Sequence, residues 1–335
     1  MKIGIVGDIH WSKYSSIIRT RGNKYSTRLE NCIDSINWAE WYLAKCDMVV
    51  YLGDFFDCES LHAEELTALS EIEWNLRPHV FLVGNHELGL NNLSFSSAHV
   101  FNMKDVTVVD EPYKMDVGNS TELCFLPYIL NSTNHTINDF VPPKTNKRII
   151  FSHNDIKGVQ LGKVVSTAGF DIKDIENNCD MFINGHLHNG GFVTDKIYNL
   201  GNLTGQNFSE DALKYTHNVA ILDTDTMYLS NAENPFAFNF YKFTDSSVLR
   251  NYDFPSNSVI VAKIDSCELE EVTEFVKNNR CIIAHRFIIS NDRDDVTTTN
   301  NVTLTVNHLD KFREFVIDKL GNEETVLSEL TEVVR

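Results

Sequence analysis

The chain has 335 residues, 47 acids against 29 bases, a net charge of −18 and an apolar fraction of 42%. That length suits one large domain plus a small one with a full core. The acidity excludes a protein that holds nucleic acid by bulk charge alone, and no apolar run approaches the ~20 residues that cross a bilayer. Seven scattered cysteines form no C-x-x-C pair, which argues against a disulfide framework or a zinc ribbon. Met1 to Gly7 is too short for a signal peptide. The expectation is a soluble protein of the cytoplasm, with no membrane contact.

Residues 2–7 read as a buried first strand. Residues 11–28 hold Lys13, Arg19, Arg21, Lys24 and Arg28 without one acid, interleaved with Trp11, Tyr14 and Tyr25. In so acidic a chain this is a basic island, suited to phosphate contact or to a solvated loop. Thr27 and Glu30 form a capping-box pattern ahead of Leu29, Cys32, Ile33 and Ile36 at helical spacing. Strands follow at 47–52 and 80–83. The helix between them is expected to start at Ser60 and to bury Leu66, Leu69, Ile72 and Leu76. This β-α-β-α-β order implies a parallel sheet with right-handed crossovers.

Further strands are expected at 105–109, 121–127, 147–152, 179–184, 191–199, 218–223 and 226–230. Two mixed sheets in a sandwich, flanked by helices, fit that count better than one doubly wound sheet. A boundary falls near 251–258. Beyond it come a strand at 259–264, a helix at 269–276, a strand at 281–289, a polar loop at 291–301, a helix at 309–320 and an acidic amphipathic tail. The expected division is residues 1–250 and a small α/β accessory domain over 258–335.

Five polar signatures stand at strand ends: Asp8-Ile9-His10, Gly53-Asp54, Gly84-Asn85-His86-Glu87, Ser152-His153 and Gly185-His186-Leu187-His188. Each alone is weak evidence, since Asp-x-His is common and Gly-Asn suits turns. Together they supply what two divalent ions need. Asp8, His10, Asp54 and His188 can hold one; Asp54, Asn85, His153 and His186 can hold the other, with Asp54 shared. Oxygen and imidazole donors without thiolates suit manganese first, then magnesium, iron or zinc. His86 follows a ligand without being needed as one, so it is the candidate general acid. Glu87 could orient it, and Asp57 could orient a ligand.

These residues resemble the signature of the calcineurin-like metallophosphoesterases, over residues 1 to about 230. The resemblance implies that family's α/β sandwich of two mixed sheets and a two-metal hydrolase. Tyr198 to Thr204 and Phe208-Ser209-Glu210 are further similar to the segment after the last histidine motif in SbcD-type nucleases. That implies an exonuclease or endonuclease for DNA repair or recombination, of bacterial or phage type, with a capping domain after the catalytic one. Its partners would be DNA, an SMC-like coiled-coil ATPase and a second copy of the chain. Bacterial-type members have Asp at the position of Asp57, where many archaeal and eukaryotic members have His. The alternatives are a phosphoprotein phosphatase, a small-nucleotide phosphodiesterase, or a mainly structural subunit that recruits its partner.

Overall fold

The computed structural model describes residues 1–290, apart from 16, 103, 104, 119, 162 and 163, together with the backbone of 296–299 and 302–303. The chain divides into two compact units. The larger takes residues 1–242, 253–260 and 279–284; the smaller takes 243–252, 261–278 and 285–335.

The larger unit is built on two six-stranded mixed sheets. In the first, β1 (Lys2–Val6), β2 (Met48–Tyr51), β3 (His79–Leu82) and β4 (Val106–Val109) run parallel in that order. Asn218–Asp223 pairs antiparallel with β1, and Tyr228–Glu233 closes that edge. In the second, β5 (Tyr113–Asp116) pairs antiparallel with β6 (Thr121–Leu126). β6, β7 (Lys147–Ser152), Met181–Asn184 and Ile197–Asn199 then run parallel.

Period-two side chains explain the layering. Ile3, Ile5, Val50, Val80 and Leu82 meet Leu123, Phe125, Ile149 and Phe151 in the core between the sheets. The opposite face of the first sheet (Val6, Val49, Tyr51, Phe81) packs on Leu29, Cys32, Ile33 and Ile36 of α1 (Thr27–Tyr42). The opposite face of the second (Cys124, Leu126, Ile150, Phe182) packs on Ile175 of α3, which spans Ile172–Asn178. Strands buried on both faces read as the near-continuous apolar runs seen in the sequence.

Local details shift from the sequence expectations. The cap of α1 is Ser26, whose side chain accepts from the Leu29 amide, one residue earlier than expected. Glu30 instead reaches back to accept from the Lys24 and Tyr25 amides. α2 covers only Ala63–Ala68, starts after His62 rather than Ser60, and gives way to a 3-10 turn. Leu66 and Leu76 are exposed, so of the expected buried set only Ile72 is fully buried and Leu69 partly. The expected strand at 191–199 is a tight antiparallel pair, Gly191–Phe192 with Ile197–Asn199.

The smaller unit holds a short helix, Ser246–Arg250, capped by Asp245, and an amphipathic helix, Leu269–Asn278, that buries Val272 and Val276. Arg250 pairs with Glu268 at 3.3 Å and Glu271 at 2.6 Å. Val296–Thr299 pairs antiparallel with Arg286–Ile289, so part of the expected 291–301 loop is a strand. The expected helix at 309–320 and the acidic tail lie outside the described residues. Among the described residues no helix is long and apolar enough to cross a membrane.

Phe151 is fully buried and stacks on Phe125, with centroids 5.3 Å apart, between the two sheets. Phe151→Ala should cost ~3–5 kcal/mol of unfolding free energy, read by urea denaturation. A loss below ~1 kcal/mol would contradict this account of the core.

Candidate metal centre

Each signature stands just past the carboxyl end of a strand, where ligands gather in open α/β sheets. Asp8 and His10 follow β1, Asp54 and Asp57 follow β2, and Asn85, His86 and Glu87 follow β3. His153 follows β7, while His186 and His188 follow Met181–Asn184. The loops are tied to one another directly. The Ile9 and His10 amides donate to the Asp54 carbonyl at 3.1 and 2.9 Å. The His86 amide donates to Asp54 Oδ1 at 2.9 Å, and the His186 amide to Asp8 Oδ1 at 3.1 Å. His10, Asp54 and His186 sit in left-handed backbone, with φ of 51°, 46° and 68°. Such strain in L residues persists only where surrounding structure enforces it, and it gathers at functional sites.

Two motif glycines are required by close approach. A Cβ on Gly84 would lie 2.1 Å from Asp54 Oδ1. One on Gly53 would lie 2.4 Å from His153 Nδ1, and Gly53 has φ +110°. Any side chain there would push the carboxylate or the imidazole out of place.

The donor atoms of Asp8, His10 and His188 lie within 4.8 Å of one another, as do those of Asp54, His153 and His186. Asn85 Oδ1 sits 2.9 Å from His186 Nδ1 and 3.2 Å from His153 Nε2. Asp54 Oδ2 is 3.1 Å from His153 Nε2. The chemistry of this set fits cations. His10 Nδ1 is held by Asp57 at 3.0 Å and His188 Nδ1 by Glu210 at 2.7 Å. Each ring therefore donates through Nδ1 and turns Nε2 on the other ring's Nε2 at 2.9 Å, where two lone pairs have room for at most one proton between them. Asp8 Oδ2, fully buried, has no hydrogen-bond partner. Facing lone pairs beside an orphaned carboxylate oxygen are costly unless a positive charge lies among them.

Burial disfavours a charged Asp54, but His153, His10 and His86 outweigh it and hold its carboxyl far below the usual range. Burial likewise opposes a charged His153, yet Asp54 and Asp8 carry it up to about 9. Burial lowers His10 despite Asp57. His188 is raised because Glu210 outweighs its burial. Burial, then the charge of Asp54, pushes Glu87 up to about 8.

The remaining expected site residues fall out differently. His86 is partly exposed, its Nδ1 donating to the Asp57 carbonyl at 3.1 Å. Asp57, not Glu87, therefore orients His86. Glu87 is fully buried and accepts from the Gly84 amide at 2.8 Å and the Phe56 amide at 3.0 Å, which pins the β3 loop to the β2 loop. Arg28 is also fully buried, donating to the carbonyls of Gly205, Ile9 and His10. Its expected role as a nucleic-acid contact is corrected to that of an internal tether. Lys13 and Arg21 pair with Glu64, and Lys24 pairs with Glu71. Arg19 is exposed and shows no ion pair among the described residues. Sequence reasoning assigned no role to Asp155, 3.1 Å from His186 Nε2, or to Gln206, whose amide donates to Asp57 at 2.9 Å. Glu210 was visible only as part of a resemblance.

A family model described as calcineurin-like phosphoesterase matches residues 1–190. A solved dimetal phosphatase from Danio rerio is similar at 15% identity and a TM-score of 0.43, over 70% of this chain and 96% of that one. A Streptococcus pneumoniae protein described as a predicted phosphoesterase is similar at 13% identity and a TM-score of 0.28, over 69% of this chain and 97% of that one. No curated protein matches the chain.

Asp54→Asn, nearly isosteric but uncharged, should lose bound metal, read as metal per chain by elemental analysis. Retention of two ions would contradict a shared Asp54. Binding must also displace the His153 proton. Its folded pKa lies above the ordinary histidine value, so manganese affinity should rise with pH from 7 towards 9, by up to about tenfold per unit. Calorimetric titrations at pH 7 and 8.5 that give equal affinities would count against His153 as a ligand.

Proposed function

The chain belongs to the calcineurin-like phosphoesterase family, and we propose that within it the protein is a metal-dependent DNA nuclease of repair or recombination, working beside an SMC-like ATPase in the cytoplasm. Family membership makes it a metal-dependent phosphoester hydrolase. The narrower reading is carried by one observation. The segment that resembles SbcD-type nucleases lies against the site itself, with Glu210 on His188 and Gln206, four residues before it, on Asp57.

Two divalent ions, manganese foremost, would be held by Asp8, His10, Asp54 and His188 and by Asp54, Asn85, His153 and His186. When bound, they supply positive charge to phosphate oxygens and activate water. The chain's own residues do the rest. Asp54 and His153 form the buried floor of the site. His86 gives its Nδ1–H to the Asp57 carbonyl, and its ring stands edge-on to His10 with centroids 4.7 Å apart. As imidazolium, with its first proton held by that carbonyl, the ring passes the second, on Nε2, to the 3′ oxygen as it leaves, and neutral imidazole remains.

The ion pairs of Lys13, Arg21 and Lys24 with Glu64 and Glu71 favour a second reading. They weaken the positive field that duplex DNA would meet, and a small phosphodiester depends less on that field. A manganese-dependent assay on linear duplex DNA, single-stranded DNA and an aryl phosphodiester separates the two. DNA cleavage is expected, and fast aryl turnover without it would sink the nuclease reading. His86→Ala should slow DNA cleavage ~10²–10⁴-fold while two metals stay bound. Loss of metal would show His86 to be a ligand. Neutralising Lys13, Arg19, Arg21 and Lys24 together should weaken DNA binding and flatten its salt dependence. Unchanged affinity would make the loop plain surface.

A further inference from the structure

The two halves of the metal centre are backed unequally. Behind His10 and His188 stand two carboxylates, Asp57 and Glu210, each on Nδ1 at 3.0 and 2.7 Å. Behind His153 stands a carbonyl, Leu52 O, at 2.9 Å, with the Asp8 carboxylate farther off at 4.0 Å. His186 has one carboxylate, Asp155, and on the opposite ring nitrogen. The first half also contains Asp8, where the second has the neutral Asn85. Asp54 is common to both.

The extra backing comes from residues 202–210, which lie beyond the stretch matched by the family. Among the described residues, the strap's hydrogen bonds to the centre go to the first half alone. The Leu203 amide donates to the Asp8 carbonyl at 2.9 Å, and the Asn202 amide to the His188 carbonyl at 3.1 Å. Thr204 Oγ1 donates to the Ile9 carbonyl at 2.9 Å. Gln206 uses its side chain on Asp57 at 2.9 Å and its amide on Glu210 Oε2 at 2.7 Å. Glu210, almost wholly buried, is thereby locked on both oxygens. A carboxylate held this firmly fixes the tautomer and direction of the imidazole it meets and raises that ring's basicity as a ligand. His217, with Nε2 4.0 Å from Glu210 Oε2, leaves Glu210 aimed at His188.

We propose that Glu210, braced by Gln206, is the positioning residue that makes the Asp8–His10–Asp54–His188 half the tighter of the two, so that it takes its divalent ion first. The inference rests on the two-metal reading of this site. Titrating the metal-free full-length chain with Mn2+, by calorimetry and by the electron paramagnetic resonance of free Mn2+, should resolve two affinity classes. Glu210→Gln should weaken the tight class about 10–100-fold and leave the weak class in place. Glu210→Asp should recover part of that loss. Asp155→Asn should weaken the weak class alone. Equal weakening of both classes by Glu210→Gln, no weakening, or a tight class that follows Asp155→Asn would overturn the proposal. If Glu210→Gln does not fold, Gln206→Ala carries the test: a smaller loss confined to the tight class supports it, and any other pattern overturns it. Two equal classes in the wild type defeat this inference alone, whereas a wild type that binds no Mn2+ defeats the two-metal reading as well.

Discussion

The structure depends on one buried carboxylate. Asp54 is closed off from water, and its charge is maintained by imidazoles around it, with His153 Nε2 3.1 Å from Oδ2. A lone buried anion would cost several kcal/mol, so the centre works only if positive charge surrounds Asp54. The chain supplies histidines on both sides, and their bare nitrogens and the orphaned Asp8 oxygen in turn call for cations. Stability and chemistry therefore place the same demand on this point of the fold.

Precision at that point comes from the loops holding one another. Backbone amides of His10, His86 and His186 each donate into a neighbouring signature, to the Asp54 carbonyl, Asp54 Oδ1 and Asp8 Oδ1. Glu87 and Arg28 do the same work from inside, both fully buried and spent on backbone groups. Three residues held in left-handed backbone are the cost of that arrangement. Two mixed sheets make it sustainable, because the packed core between them fixes where each loop begins.

Much of this was legible in the sequence for a local reason. Apolar runs ending in Gly-Asp, Gly-Asn-His or Gly-His-x-His announce both a strand and the polar group at its end. Residues that act through distant partners were not legible. Asp155 and Gln206 look like ordinary loop residues until folding brings them to His186 and Asp57, 31 and 149 positions away. Arg28 shows the converse limit: charge is visible in sequence and burial is not, so a basic island hid an internal tether. β5 went unread because Tyr113-Lys114-Met115-Asp116 is only four residues long and exposed apart from Met115, too short for its alternation to stand out. Ser26 rather than Thr27 caps the helix because its extended backbone, with ψ 152°, aims its hydroxyl at the Leu29 amide, while Thr27 Oγ1 pairs with Thr20 Oγ1.

The central claim is that Asp54 is shared between two cations. Anomalous diffraction from crystals grown with Mn2+ tests it most directly. The account predicts two peaks about 3.5–4 Å apart, both in contact with the Asp54 carboxylate. A single peak, or two peaks of which only one touches Asp54, would contradict it.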